Sequence, residues 1–301
     1  MNAARPRREL SLISVVVPTF NAVDLIGEQL DALAEQDYDG DFEVLVSDNG
    51  STDGLRSFVE SHPLKERLRL KWVDASALKG VSYARNTGVA YARGEFIAFC
   101  DADDRVHSSW LRSLAHAAAR CDLVSGALET ATINSPEVNR WREFIPTATP
   151  HSYATFLPYA FGCNFGVWKL AYETVGGCDE SLPTGGGDDV DFSWRLQLAG
   201  MTLVHEMDAI VAYRLRPDLR GTWRQLHNYG VAGAELHKKY SRLGFARSTP
   251  RAVAIEVAAL MLLSPLLPQF VTRMPRGKWI THAGFFVGKL RGSIRYRTFY
   301  L

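Results

Sequence analysis

The sequence predicts an α/β protein built on a doubly wound, mostly parallel sheet with helices on both faces. Three observations predict it. Over residues 12–100, β-branched runs alternate with stretches of helical periodicity. Several of those runs are apolar throughout, the pattern of strands buried on both faces. They stop at Thr19-Phe20-Asn21, at Asp48 and at Asp101 to Asp104, and the carboxyl ends of strands are where ligands bind in such sheets.

Each element follows in order. Leu12 to Pro18 is the first strand, and Thr19-Phe20-Asn21 turns it into a helical pattern ending near Gln36, with Asn21 also a candidate N-cap. Phe42 to Val46 is the second strand. It runs into Ser47 to Asp53, dense in turn and cap residues, and a helix follows to about Glu60. Leu68 to Val73 reads as the third strand, Lys79 to Arg93 as the next helix, and Phe96 to Cys100 as the fourth strand.

That fourth strand ends in three carboxylates within four positions. Alternate residues of an extended chain project to the same side, so Asp101 and Asp103 can converge on one point while Asp104 braces the turn. Crowded carboxylates need a cation. Hard oxygen ligands suit Mg²⁺ or Mn²⁺, which keep positions for phosphate and water, so a diphosphate-bearing substrate is implied. Capping of a helix that begins near Ser108 is the plainer alternative.

Composition bounds the rest. With 301 residues, 47% hydrophobic and 22% charged, the chain is globular rather than disordered. Its formal net charge of +1 conceals a basic tail, because seven basic residues and no acidic one follow Val271. Cys100, Cys121, Cys163 and Cys178 lack paired CxxC spacing, which fits a reducing cytoplasm better than a disulfide framework or a zinc site. The arginine-bearing N-terminus runs into a strand with no apolar core of a signal peptide. Neither GxGxxG after the first strand nor GxxxxGK[ST] anywhere is present, which removes support from dinucleotide-oxidoreductase and P-loop readings.

Six motifs stand in order: Val17-Pro18-Thr19-Phe20-Asn21, Asp48-Asn49-Gly50-Ser51-Thr52-Asp53, Ala84-Arg85-Asn86-Thr87-Gly88, Gly94-Glu95-Phe96-Ile97 leading to Asp101-Ala102-Asp103, Gly176-Gly177-Cys178-Asp179-Glu180, and Asp188-Asp189-Val190-Asp191 with Arg195. In them the chain resembles the inverting glycosyltransferases of family 2, over about Ser14 to Tyr240. The resemblance implies the GT-A fold, a catalytic domain over residues 1–240 with a nucleotide-sugar half (about 12–127) and an acceptor half (about 128–225), and a separate helical segment over 241–301. It implies a metal-dependent, inverting transfer from a nucleotide diphosphate sugar, with UDP the expected nucleotide, to a hydroxyl of a glycan or lipid-linked acceptor, as in cell-envelope polysaccharide synthesis. By the same resemblance Pro18, Thr19, Asn21, Asp48, Arg85 and Asp101 would bind the nucleotide. Asp48 would face the base N–H. Asp103, with Asp101, would hold Mn²⁺ or Mg²⁺. Asp189 would be the general base, with Asp188 standing where the family usually has Glu.

Asn164 would sit beside the acceptor, and Trp223 and Arg224 would reach acceptor sugar or diphosphate. Trp141, Tyr153, Tyr159 and Trp168 are candidate stacking residues. Gly185-Gly186-Gly187 reads as a mobile loop before Asp188. One departure stands out: the resemblance places a metal-binding histidine where this chain has Tyr213, a poor ligand for a hard cation, and His205 lies too far upstream to replace it. A catalytically silent module of the same fold, partnering an active enzyme, is the alternative from another class.

Ala252 to Leu263 and Trp279 to Leu290 are apolar runs, the first too short to span a bilayer, with basic flanks and Trp279. They read as amphipathic helices on an anionic membrane surface at the inner face of the cell membrane, or as packing on the catalytic domain or a second subunit. No motif for nucleic acid is present.

Overall fold

The structure is a computed structural model, and it describes residues 10–153, 156–182, 185–267 and 269–301. The N-terminal Arg5, Arg7 and Arg8, and Pro268, which interrupts the apolar run of the sequence, lie outside the described residues. The first half runs β1 (Leu12–Thr19), α1 (Val23–Ala34), β2 (Asp41–Asp48), α2 (Leu55–Glu60), β3 (Lys71–Asp74), α3 (Val81–Tyr91) and β4 (Phe96–Cys100). Then come β5 (Arg105–Val106), α4 (Trp110–Ala118), β6 (Leu123–Glu129), α5 (Pro136–Asn139), β7 (His151–Ser152), β8 (Pro158–Tyr159), β9 (Asn164–Trp168), α6 (Lys169–Thr174), α7 (Asp188–Leu198) and β10 (Leu203–Ala212). Helices α8 (Leu219–Tyr240), α9 (Pro250–Leu262), α10 (Gln269–Thr272) and α11 (Arg276–Tyr296) complete the chain.

One sheet has the order β3-β2-β1-β4-β9-β6-β10-β5. Its first four strands are parallel, and the inner ones are buried on both faces: Ile13, Val15, Val16 and Val17 of β1 have no exposed surface. The register pairs Thr19 with Asp48, so two predicted site positions share one carboxyl edge. Beyond β4 the sheet is mixed. Strand β9 is antiparallel to both β4 and β6, and the Phe99 and Phe165 rings stack across the first of these seams, 4.4 Å between centroids. The predicted third strand shifts to Lys71–Asp74, because Leu68 and Leu70 are spent in the turn that precedes it.

Asn21 is not the cap of α1. Ala22 holds the N-cap position and Asp53 Oδ2 accepts from Val23 N (2.9 Å), while Asn21, at φ 49°, accepts from Thr52 N (2.8 Å) and so ties the β1 and β2 turns together.

The C-terminal segment is not a free appendage. Helix α11 lies along α8, and the approach is close enough that a Cβ on Gly230 would fall 2.1 Å from Phe285 O and one on Gly288 2.1 Å from His227 O. Phe245 and Tyr300 join Trp194, Val190, Leu236 and Tyr240 in a second core. The Trp279 indole N–H donates to Leu260 O (2.9 Å), and Lys289 is buried against Glu256 (2.8 Å), so neither is a free membrane anchor. Helix α9 buries none of its residues, and Ile255, Met261, Leu262, Leu266 and Phe270 are exposed. Among the described residues no helix is long and apolar enough to cross a membrane.

Candidate active site

The acidic turn after β4 is held from several sides. Buried Gln29 on α1 donates to Asp101 O (2.9 Å) and accepts from Val106 N (2.9 Å). After β10, Arg214 donates from its backbone N to Asp104 Oδ1 (2.7 Å), from Nε to Asp103 O (2.6 Å) and from Nη2 to Glu28 (2.7 Å). Five hydrogen bonds from Gln29 and Arg214 are thus spent around this acidic turn.

Asp101 opens onto a cavity of about 770 Å³, which Asp103, Asp188 and Asp189 also line. Arg85, on α3, is the link between the two acidic groups. Its Nη1 is hydrogen-bonded to Asp188, its Nη2 donates to Gly162 O (3.1 Å), and Nη2 lies 3.8 Å from Asp101. Burial opposes its charge, but Asp188 and Asp101 keep the guanidinium firmly protonated. Gly162 is the hub: its carbonyl holds Arg85, and its N–H donates to Asp189 Oδ2 (2.8 Å). Asp189 Oδ1 accepts from Val190 N (2.8 Å) at the start of α7. Burial first, and then Asp188, push the Asp189 carboxyl up to about 6. A carboxylate tuned toward neutral pH and open to a cavity can act as a general base.

The donor atoms fit a divalent cation. Asp101, Asp104 and Cys163 bring one ligand atom each to within 4.8 Å of one another, and Asp104 Oδ2 is buried without a partner among the described residues. Burial, then the neighbouring carboxylates, push both Asp101 and Asp104 up against the pull of Arg85 and Arg216. Cys163 is held as a neutral thiol by burial, so the hard donors are the carboxylates. The geometry differs from the expected Asp101–Asp103 pairing: Asp104 converges with Asp101, whereas Asp103 Oδ2 pairs with Arg216 Nη1 (3.2 Å) at the cavity wall.

Other predicted residues fall elsewhere. Asp48 is buried, with Oδ1 accepting from Ser51 N (2.8 Å) and Oδ2 from Trp72 Nε1 (3.0 Å), so a base would have to share these oxygens. Pro18 and Thr19 are buried at the same edge, and Thr19 Oγ1 donates to Val17 O (3.0 Å). Asn164 does not border the cavity. It is fully buried, accepts from Trp110 Nε1 (2.8 Å) and donates to Ala127 O and Ala209 O, an amide that knits β9 to its neighbours.

Trp168 and Trp141 are also packed inside, Trp168 with its indole N–H on Ala118 O and Trp141 against Gly277 of α11; Tyr153 and Tyr159 do line the cavity. Arg224 is exposed and lines it too, whereas Trp223 faces a neighbouring basic groove with Arg220, Arg291 and Arg295. Gly185, Gly186 and Gly187 all have positive φ, and a Cβ on Gly186 would lie 2.5 Å from the Tyr229 ring. These glycines are required by the backbone path over α8. Tyr213 accepts from Gln225 Nε2 (3.0 Å), and burial pushes its phenol well up, so it stays neutral. His205 bonds Ser125 and Thr147, away from the acids. The sequence reading missed Arg216 and Arg142, and from the Gly162-Cys163-Asn164 segment it took Asn164 rather than Gly162; only the basic residues after the last strand, Arg214 and Arg216, carried a further signal.

A model of glycosyl transferase family 2 matches residues 14–176. The chain belongs to this family. The family 2 chain is 30% identical over 209 residues to the pre-mycofactocin glycosyltransferase of Mycobacterium tuberculosis, covering 64% of this chain and 42% of that relative, so it spans less than half the length of that relative. Its fold is GT-A. It superposes on the mannosyltransferase PcManGT from Pyrobaculum calidifontis in complex with GDP-Man and Mn²⁺ with a TM-score of 0.60 at 22% identity, covering 96% of this chain and 89% of the other. TarS of S. aureus in complex with UDP-GlcNAc gives 0.55 at 18% identity over 96% and 93%.

Proposed function

We propose that this family 2 protein is an inverting, metal-dependent glycosyltransferase that moves a sugar from a nucleotide diphosphate, UDP by preference, to a hydroxyl of a glycan or lipid-linked acceptor. One observation carries the reading: Asp189 and the acidic turn at Asp101 to Asp104 open onto one cavity, with buried Arg85 bonded between them. The structural neighbours in complex with GDP-Man and Mn²⁺ and with UDP-GlcNAc support a nucleotide-sugar donor.

Asp101, Asp103 and Asp104 would hold Mn²⁺ or Mg²⁺ against the diphosphate. When bound, the cation supplies Lewis-acid stabilisation of the leaving diphosphate. Arg216 adds a guanidinium at the same wall, suited to a phosphate oxygen. Asp189 takes the proton of the acceptor hydroxyl, whose oxygen bonds to the anomeric carbon as the bond to the diphosphate breaks and its electron pair leaves with the nucleotide. With one base and attack from the face opposite the diphosphate, the configuration inverts. Asp188 serves by fixing Arg85, and Asp48 with Thr19 and Asn21 lies at the edge where the nucleoside would rest.

The same reading takes the acceptor from the inner face of a membrane. The exposed apolar side chains of α9 and its following turn, beside Arg273, Arg276 and Lys278, suit an anionic surface.

Isothermal titration with UDP, GDP, dTDP and CMP, with and without Mn²⁺, tests the donor site. One nucleotide should bind, with affinity that rises with Mn²⁺ and loses that rise in Asp103→Ala. If none binds with metal present, the transferase reading fails.

A further inference from the structure

Among the described residues Arg142 has no carboxylate partner, unlike other arginines in and around the cavity. Arg85 has Asp188 and Asp101, Arg216 has Asp103, and Arg195 has Asp191 with two backbone carbonyls. The Arg142 guanidinium instead lies over two rings, 4.9 Å from the Phe144 centroid and 5.4 Å from that of Tyr229. Its Nη1 is out of contact with solvent and has no hydrogen-bond partner, and among the described residues no carboxylate pairs with it. The phenols nearest to it, Tyr229, Tyr213 and Tyr159, are themselves buried, which pushes their ionisation up, so none supplies an anion at neutral pH. The Tyr229 hydroxyl bonds to Arg142, but a neutral phenol and ring faces bring no counter-charge, and a desolvated cation without one is costly to keep unless something else supplies it.

That something enters through the cavity, which Arg142 lines together with Asp189. The Phe144 ring under Arg142 meets Phe161 edge-on, 5.7 Å between centroids, and Phe161 runs into Gly162, whose N–H donates to Asp189 Oδ2. Arg142 is thus joined to Asp189 through the aromatic wall of the cavity, whereas Asp103 has its own guanidinium in Arg216. A guanidinium fork matches the paired oxygens of a carboxylate or phosphate, and the rings of Tyr153, Tyr159 and Phe161 offer faces for a sugar. We propose that the acceptor is anionic: it carries a carboxylate or phosphate that Arg142 binds while Asp189 faces the accepting hydroxyl. This rests on the glycosyltransferase reading for the meaning of Asp189, but the anion site itself does not depend on the donor.

The test uses the full chain loaded with UDP and Mn²⁺, so that the diphosphate position is filled. Methyl β-glucoside, methyl β-glucuronoside and methyl 6-phospho-β-glucoside are titrated into it, the last two separating a carboxylate from a phosphate. At least one charged glycoside should bind about tenfold or more tightly than the neutral one, as a charge-assisted bond to a buried guanidinium predicts. Arg142→Gln should erase the preference and Arg142→Lys retain part of it. Both should keep UDP affinity within about twofold, and a thermal midpoint near the parent's would show that they fold. Equal binding of charged and neutral glycosides, a preference that survives in Arg142→Gln, or no binding of any of the three overturns the proposal. Failure of UDP to bind strikes instead at the donor site, and the glycosides are then titrated into the unloaded protein with the same criteria.

Discussion

Replacing Asp189 with Asn should cost activity and gain stability together. The carboxyl rises from an ordinary 3.8 to about 6 in the fold. A shift of about two units at about 1.4 kcal/mol each means that keeping this group ionised costs at most about 3 kcal/mol, less where the cavity admits water. The raised value makes the protonated form the favoured one in the folded chain, so the cost is fully present above about pH 6 and disappears as both states protonate below about pH 4. Four influences set it: burial, the repulsion of Asp188, the opposing charge of Arg85, and the N–H groups of Gly162 and Val190. An Asn amide is uncharged but can accept from one of those two N–H groups and not from both, a loss of about 1 to 2 kcal/mol. The net gain is then about 1 to 2 kcal/mol at pH 7, a rise of a few degrees in thermal midpoint.

Release of nucleoside diphosphate from the donor should fall by about 10² to 10⁴-fold, the range for loss of a positioned base, with donor affinity unchanged. In the parent enzyme the rate should drop about tenfold per pH unit below about 6 as Asp189 takes up its proton. Melts of both proteins from pH 5 to 8 with turnover at each pH are the assay. The stability advantage of Asp189→Asn should shrink as pH falls. A rate loss under tenfold, or an advantage that grows toward acid pH, refutes the assignment.

Two further outcomes follow from the packing. In Gly162→Ala the new Cβ would lie 2.5 Å from Arg85 Nη2 and 3.3 Å from Asp189 Cβ, so the buried guanidinium must move by about 1 Å. Turnover should fall by about 10²-fold and stability by about 1 to 3 kcal/mol, and wild-type kinetics in this variant would deny Gly162 its role as hub. Leu266→Glu with Phe270→Glu changes only exposed apolar side chains. Binding to phosphatidylserine-containing vesicles, read by sedimentation, should drop at unchanged thermal midpoint, and undiminished binding would move the membrane contact away from the segment that follows α9.

The sheet's first half was readable because its cause is local. Runs such as Ile13 to Val17 have nowhere to go but between two helical layers, and strands that stop at Asp48 or Asp101 announce a polar edge. The acids of the site were readable for the same reason: carboxylates clustered at a strand end or at the start of a helix declare themselves within a few residues. What those acids face was not.

Arg85 meets Asp188 across 103 positions of sequence, Arg216 meets Asp103 across 113, and such pairings exist only once β9 has inserted antiparallel between β4 and β6. Asn164 and Trp168 carry polar groups suited to a pocket, yet both lie on that inserted strand and spend them on its neighbours. The glycines of α11 stand inside a run read only as apolar until α8 lies against them, and nothing in the sequence marks Arg142 until its surroundings prove to be rings. Sequence alone determined the strands, the acidic clusters and the family they resemble, because backbone propensity and local charge act over a few residues. Tertiary structure decided which groups each acid faces and which cation, among the described residues, has no carboxylate beside it, because burial and Coulomb interactions depend on distance in space.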